Sequence, residues 1–276
     1  MPAHHPLITE AYKSIGGIYV SLCRFKDALE NFYIALQTSE KYLLPDHPTI
    51  AETLAEIGCA HDDLGNKEEA MKNYEKALEI REKNFPGGHA STANVLDSLG
   101  CLYRQYKEFD KALEYHDRAA KLRQRLLEPD HVDVAAGLHC LANVYFDMDE
   151  NLKAIKLFEK ACEIKKKHLK DNSVSVCRTQ SCLAAAYSKN GEYKRAQKLF
   201  EKTLIDQQAA YPPNGDHLDV ATTLYQMGDN LLRMERREEA LKCFRKHLQI
   251  KAKFLGETDP GVLTAKKMME ELENDE

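Results

Sequence analysis

Glycine and proline are sparse in this 276-residue chain, at 13 and 9 residues. Alanine, leucine, glutamate and lysine are plentiful and charged residues make up 30%, so the composition predicts a helix-rich protein with nearly no strand. There is no basic excess: the formal net charge is -5, which excludes the counterion-release binding that holds nucleic-acid backbones. No apolar run approaches the ~20 residues needed to span a bilayer. The start, "MPAHHPLITE", lacks the charged-then-apolar plan of a signal peptide. A soluble, cytoplasmic protein without membrane insertion is expected.

The usual chemical motifs are missing too. No C-x-x-C pair occurs among Cys23, Cys59, Cys101, Cys140, Cys162, Cys177, Cys182 and Cys243, so these are expected to be small buried or half-buried hydrophobes rather than zinc ligands or disulfides. Neither a G-x-x-x-x-G-K-[ST] nor a G-x-G-x-x-G phosphate loop is present. Asp62-Asp63 is expected at the exposed end of a helix, and His139 and Cys140, being adjacent, point apart around theirs. No catalytic residue, metal ligand or cofactor site is predicted, and no enzyme activity.

What is present is a period. "LLPDHPTI", Leu43 to Ile50, carries a His-Pro pair that also occurs at His5-Pro6, and histidines follow at His89 and His131, each forty-two residues on. Four evenly spaced histidines suggest a metal. Equivalent atoms in successive repeats lie about 10 Å or more apart, however, whereas zinc holds nitrogen at about 2.0 to 2.1 Å. They read instead as boundary marks, with Asp46 or His47 capping a helix that Pro48 opens. The terminal pair His4-His5 is expected to be solvated.

Aligned at this period, Gly16, Gly58, Gly100, Ala142 and Ala184 stack, and Gly228 follows after a two-residue slip. Twelve residues later stand Ala28, Ala70, Ala112, Ala154, Ala196 and Ala240, then the rings Phe32, Tyr74, His116, Phe158, Phe200 and Phe244. Ala35, Ala77, Ala119 and Ala161 come next, with Thr203 and His247 as exceptions. Within one copy, Ile50, Leu54, Ile57, His61 and Leu64 share a helical face. Gly65-Asn66 breaks it, and a second helix runs from about Lys67 to the stop at Phe85-Pro86-Gly87-Gly88. Each copy is a helical hairpin, in which small residues let two helices approach and a ring fills the gap beside them.

These columns resemble the tetratricopeptide repeat (TPR) over essentially the whole chain. The period exceeds the usual one of about thirty-four residues and falls among HEAT and armadillo lengths, but the alanine and ring columns favour TPR. "DHPTIAETL" and "ALEIREK" are similar to kinesin light chain repeats. The resemblance implies an all-α, right-handed alpha-alpha superhelix, a single TPR solenoid over residues 1–276. Its six hairpins are expected at about 6–46, 48–88, 90–130, 132–172, 174–216 and 218–258, with a capping helix at 260–274. "YPPNGDH", Tyr211 to His217, lengthens the fifth connection as a tolerated insertion or a hinge.

By family geometry the first helix of each hairpin lines a concave groove for a peptide or partner helix. The groove positions implied are Lys13, Glu52, Asp62, Asp63, Asn94, Asp97 and Arg104 in the first three hairpins. In the last three they are His139, Asn143, Arg178, Ser181, Lys189, Tyr225, Asp229 and Arg233. The first set is predominantly acidic and the second mixed, which predicts a ligand with its basic groups toward the N-terminal hairpins. The asparagines of the kinesin "LNNLA" motif are replaced, as in "LAEIG" and "LDSLG". Of the carboxylate clamp of chaperone-binding TPRs, the matching positions are Lys13, Gly17, Glu56 and Asn94, where Glu56 repels a carboxylate. The expectation is a non-catalytic protein-protein scaffold or adaptor; the alternatives are a self-associating, homo-oligomeric solenoid and a regulatory sensor module of a larger assembly.

Overall fold

The computed structural model describes residues 6–211 and 216–274. Thirteen α-helices, and no strand, are found among them. The chain divides into two compact units, Met1–Pro129 and Asp130–Glu276. The first unit holds three hairpins: α1 (Pro6–Ser21) with α2 (Phe25–Tyr42), α3 (Pro48–Asp63) with α4 (Lys67–Asn84), and α5 (Ala90–Gln105) with α6 (Phe109–Leu126). The second holds α7 (Val132–Asp147) with α8 (Asn151–His168), α9 (Val174–Lys189) with α10 (Tyr193–Ala210), and α11 (Leu218–Arg233) with α12 (Arg237–Leu255), closed by α13 (Pro260–Asn274). The six hairpins begin at Pro6, Pro48, Ala90, Val132, Val174 and Leu218.

The histidine period is a set of helix caps. Nδ1 of His47, His89, His131 and His217 accepts from the amide two residues on, at 3.2, 3.1, 3.1 and 3.1 Å. Ser173 caps α9 through its hydroxyl, which accepts from the Val176 amide three residues on, and Asp259 caps α13 through its carboxylate, which accepts from Gly261 and Val262. Each satisfies an amide that the helix itself leaves without an acceptor. His4 and His5 lie outside the described residues.

Between the two helices of every hairpin one residue turns left-handed: Cys23, Gly65, Lys107, Asp149, Gly191 and Glu235. The next amide then bonds a carbonyl five residues back, from Arg24 to Tyr19 through to Arg236 to Leu231. This closes the first helix with a Schellman-type turn in all six copies. Only two of the six positions are glycine, so the other four turns carry no glycine signal in the sequence.

The small-residue and ring columns interlock. A Cβ on Gly16 would sit 2.4 Å from the Phe32 ring, and one on Gly58, Gly100 or Gly228 within 2.8 Å of Tyr74, His116 or Phe244. The alanines at 28, 70, 112, 154, 196 and 240 are all fully buried. α13 covers the last hairpin, with Met268, Met269 and Leu272 against Leu231, Ala240, Cys243 and Phe244. The lengthened connection at residues 212–215 and the terminal pair 275–276 lie outside the described residues.

All eight cysteines are free thiols. Cys162, Cys177 and Cys243 are buried and Cys101, Cys140 and Cys182 half-buried, but Cys23 and Cys59 are exposed, contrary to the expectation that all are covered. Cys23 occupies a left-handed turn position, and Cys59 follows the packed Gly58 around the helix onto the open side of α3. No described helix is long and apolar enough to cross a membrane.

Candidate functional site

In the first unit α3 meets α5, and in the second α7 meets α9 and α9 meets α11, while among the described residues second helices make no comparable approach. Helices that converge lie on the tighter side of a stack, so the first-helix rows form its inner face. Of the fifteen expected groove positions, fourteen lie on these helices and Lys13 lies on α1.

In the first unit two of the four expected groove acids, Glu52 and Asp97, are already matched by buried cations. Lys13 is buried and reaches Glu52 at 3.0 Å and Glu10 at 3.2 Å. On its other side Glu52 meets the buried Arg81 of α4 at 3.2 Å. Burial alone would lower the Lys13 ammonium, but Glu52 and Glu10 hold it above its usual value. Burial would likewise raise Glu52, yet Lys13 and Arg81 hold its carboxyl below the usual range. Asp97 lies between His116 Nδ1 at 2.8 Å and Arg123 at 2.5 Å, both on α6 and both buried. Asn94 is exposed and accepts from Arg123 at 3.0 Å.

Two further acids in this unit are less charged than their formulae. Burial, reinforced by Glu52 and Glu10 and only partly offset by Lys13, pushes Glu56 up to about 7. Asp62 is half-buried rather than at an exposed helix end, and burial with the neighbouring Asp63 pushes it up to about 6. Asp63 is exposed and Arg104 half-buried. An acidic face cannot be read from a count of acids here: Glu52 and Asp97 are neutralised from beneath and Glu56 is half-protonated near neutral pH. The carboxylate clamp has a different obstacle from the one expected, because Lys13 is already engaged by Glu52.

In the second unit His139 packs edge-on to the Phe158 ring at 5.4 Å, and Asn143 is half-buried. Ser181 is buried and bonded to Thr223 at 3.0 Å and Gln226 at 2.7 Å, tying α9 to α11. Arg178 is exposed and reaches Asp219 at 3.4 Å. Lys189 pairs with Asp149 and lies over the Phe146 ring at 4.5 Å. Tyr225 is exposed above Phe244 and His247, and Arg233 pairs with Asp229 at 3.1 Å along α11. The exposed groups on this face are thus Arg178, Lys189, Tyr225 and Arg233.

Sequence reasoning missed the buried cations of the second helices. They fall in one repeat column, Arg81, Arg123 and Lys165, between Ser39 and Gln207. Charges recurring on the packed face of a helix were the available signal.

The tetratricopeptide-repeat family pattern matches residues 7–83, 91–167 and 175–266. No curated protein matches the chain by sequence. Among solved structures it is similar to nearly identical TPR-like repeats ascribed to a kinesin light chain of Podosopora anserina, at 23% identity and a TM-score of 0.61 over 76% of this chain and 99% of that one. BtubC (BKLC) from P. vanneervenii is 18% identical with a TM-score of 0.64, over 90% of this chain and 92% of that one. Rap protein, complexed with Competence and Sporulation Factor, is 15% identical with a TM-score of 0.69, over 96% and 76%.

Proposed function

The chain belongs to the tetratricopeptide-repeat family, and from that premise we propose that it is a non-catalytic adaptor that binds a peptide or helix of another protein along its first-helix faces. The observation that carries this reading is the convergence of first helices within each unit, which supports a preformed surface on the first-helix side of each. A rigid scaffold loses little conformational entropy on binding, so the ordering cost falls on the ligand. Rap protein, of the same fold, is complexed with Competence and Sporulation Factor, a use of the kind proposed. Cytosolic residence fits such a role.

The exposed groups of the second unit, Arg178, Tyr225 and Arg233, are the contacts assigned to the ligand, whereas Lys13, Asp97 and Ser181 hold the helices together. A peptide array probed with the protein, followed by titration calorimetry on the hits, tests this. Arg178→Glu with Tyr225→Ala should weaken binding at least tenfold while leaving the helical circular dichroism unchanged. Hits that bind this double variant and the parent equally would overturn the face assignment.

A second reading, self-association, draws on α1. Ile15 and Ile18 are 40 and 59% exposed, while Ile57 and Ala60, their counterparts in the next hairpin, are fully buried. Light scattering over a dilution series separates the two, since the adaptor reading expects a constant monomer mass.

A further inference from the structure

The buried-cation column has one member without an anion. Arg81 is met by Glu52, and Arg123 by Asp97, each acid coming from the first helix of the same hairpin. In the fourth hairpin the position of Glu52 and Asn94 is Ala136, and that of Asp97 is His139. Lys165, 4% exposed, bonds instead to two neutral groups of α9, the Thr179 hydroxyl at 2.8 Å and the Ser175 carbonyl at 3.3 Å. A buried ammonium facing only neutral acceptors is costly. Burial accordingly pushes Lys165 below the usual lysine value, with Arg178 adding to the effect; the thiols of Cys162, Cys140 and Cys182 oppose it, and no carboxylate does.

A second irregularity stands beside Thr179. Leu54, Leu96, Leu138 and Leu224 form a leucine column, and its member in α9 is Gln180. This side chain is 1% exposed, and neither its amide nitrogen nor its amide oxygen has a hydrogen-bond partner. Leaving such a group unmet costs about 1 to 3 kcal/mol per polar atom, so a polar residue in this column has no packing rationale. The route to the ammonium is indicated by the second hairpin, where Glu52 approaches the buried Arg81 from a half-exposed position. Its counterpart Ala136 is half-buried, with no carboxylate of its own.

We propose that the fourth and fifth hairpins carry a carboxylate-binding site, with the Lys165 ammonium as its cation, filled by an acidic group of the bound partner in the place that Glu52 takes in the second hairpin and that Ala136 leaves without a carboxylate. The partner's carboxylate completes in trans the ion pair that Glu52 and Asp97 complete in cis elsewhere. A charge-assisted hydrogen bond to a buried ammonium is stronger than a neutral one, so the site selects acidic over neutral segments. It differs in place from the terminal-carboxylate clamp positions, which lie in the first three hairpins, and it rests on the adaptor reading above.

The test reads Lys165 directly. The side-chain ε-methylene signal of Lys165 is followed by NMR while N-acetylglutamic acid α-amide, which offers only a side-chain carboxylate, or N-acetylalanine, which offers only a chain-terminal one, is added; N-acetylglutaminamide is the neutral control. A saturable shift with either acid and none with the amide is expected, and the more effective acid identifies the source. Ala136→Glu should supply the carboxylate in cis, shift the Lys165 signal without ligand and weaken either acid at least tenfold. Lys165→Met, checked for folding by circular dichroism, should remove carboxylate-dependent shifts of neighbouring signals. Absence of a saturable shift in the parent, or an equal response in Ala136→Glu, overturns the site. Array peptides that still bind while Lys165 stays silent would remove this site alone, whereas loss of peptide binding would remove the adaptor reading.

Discussion

His116 should make the stability of this protein fall as pH rises above neutrality. Its ring occupies the column filled by Phe32, Tyr74, Phe158, Phe200 and Phe244, is fully buried, and holds Asp97 at 2.8 Å. Burial alone would lower its pKa, but Asp97 and the Cys101 thiol overcome that and push it up to about 9. A folded-state value above the unfolded value of about 6.5 means that the native protein binds the extra proton more tightly. The stabilisation is therefore fully present below about 6.5 and is lost as pH rises through about 9. The gap corresponds to about 3 kcal/mol at about 1.4 kcal/mol per pH unit, an upper bound because Arg123 shares Asp97. Urea unfolding at pH 6, 7, 8 and 9, for the parent and for His116→Phe, isolates the effect: the phenylalanine suits the ring column and cannot titrate, so the difference between the two should narrow with rising pH. A ring signal titrating near 6.5 by NMR, or a pH-independent difference, would refute the reasoning.

Glu56→Gln should stabilise the protein at pH 8 by on the order of 1 kcal/mol and have no effect near pH 4, because an acid raised to about 7 stabilises only while protonated and loses that contribution as pH rises from about 4.5 through 7; thermal melts at the two pH values check this. Gly58→Val drives a side chain into the buried Tyr74 ring, whose nearest atom would lie 2.8 Å from the new Cβ, and should cost about 1 to 3 kcal/mol in urea unfolding. Gly17→Ala meets nothing within 4 Å and should gain about 0.5 to 1 kcal/mol from helix propensity in the same assay. Lys107→Gly, at a left-handed turn with φ of 61°, should raise stability by up to about 1 kcal/mol, since the left-handed conformation costs a lysine about 1 to 2 kcal/mol and glycine little; an unchanged melting temperature would count against strain at that turn.

The fold was legible because its determinants repeat. Gly58 and Tyr74 state the packing rule once, and Gly100 with His116 and Gly228 with Phe244 restate it, so chance agreement is averaged away. The helix starts were legible for a related reason: capping is local, and His47 reaches only two residues along the chain. The turns at Lys107, Asp149 and Glu235 were not marked in the same way. There the packed hairpin imposes the left-handed backbone, and a residue with no intrinsic preference for it is carried along.

The candidate interaction face was less legible because its charge is decided from underneath. In sequence, Glu52 and Asp97 look like exposed acids on a helix face, equivalent to Asp63. What distinguishes them is Arg81, twenty-nine residues after Glu52, together with His116 and Arg123 after Asp97. Each lies on the other helix of its hairpin and is buried against the acid. A face read one helix at a time therefore assigns to the ligand charges that the scaffold already uses. Reading the hairpin as the unit reverses the question: the informative positions are those where the second helix buries a charge and the first helix fails to answer it. In the column of Arg81 and Arg123, Lys165 is that position, with Ala136 standing where the second hairpin has Glu52, and the proposed carboxylate site rests on it.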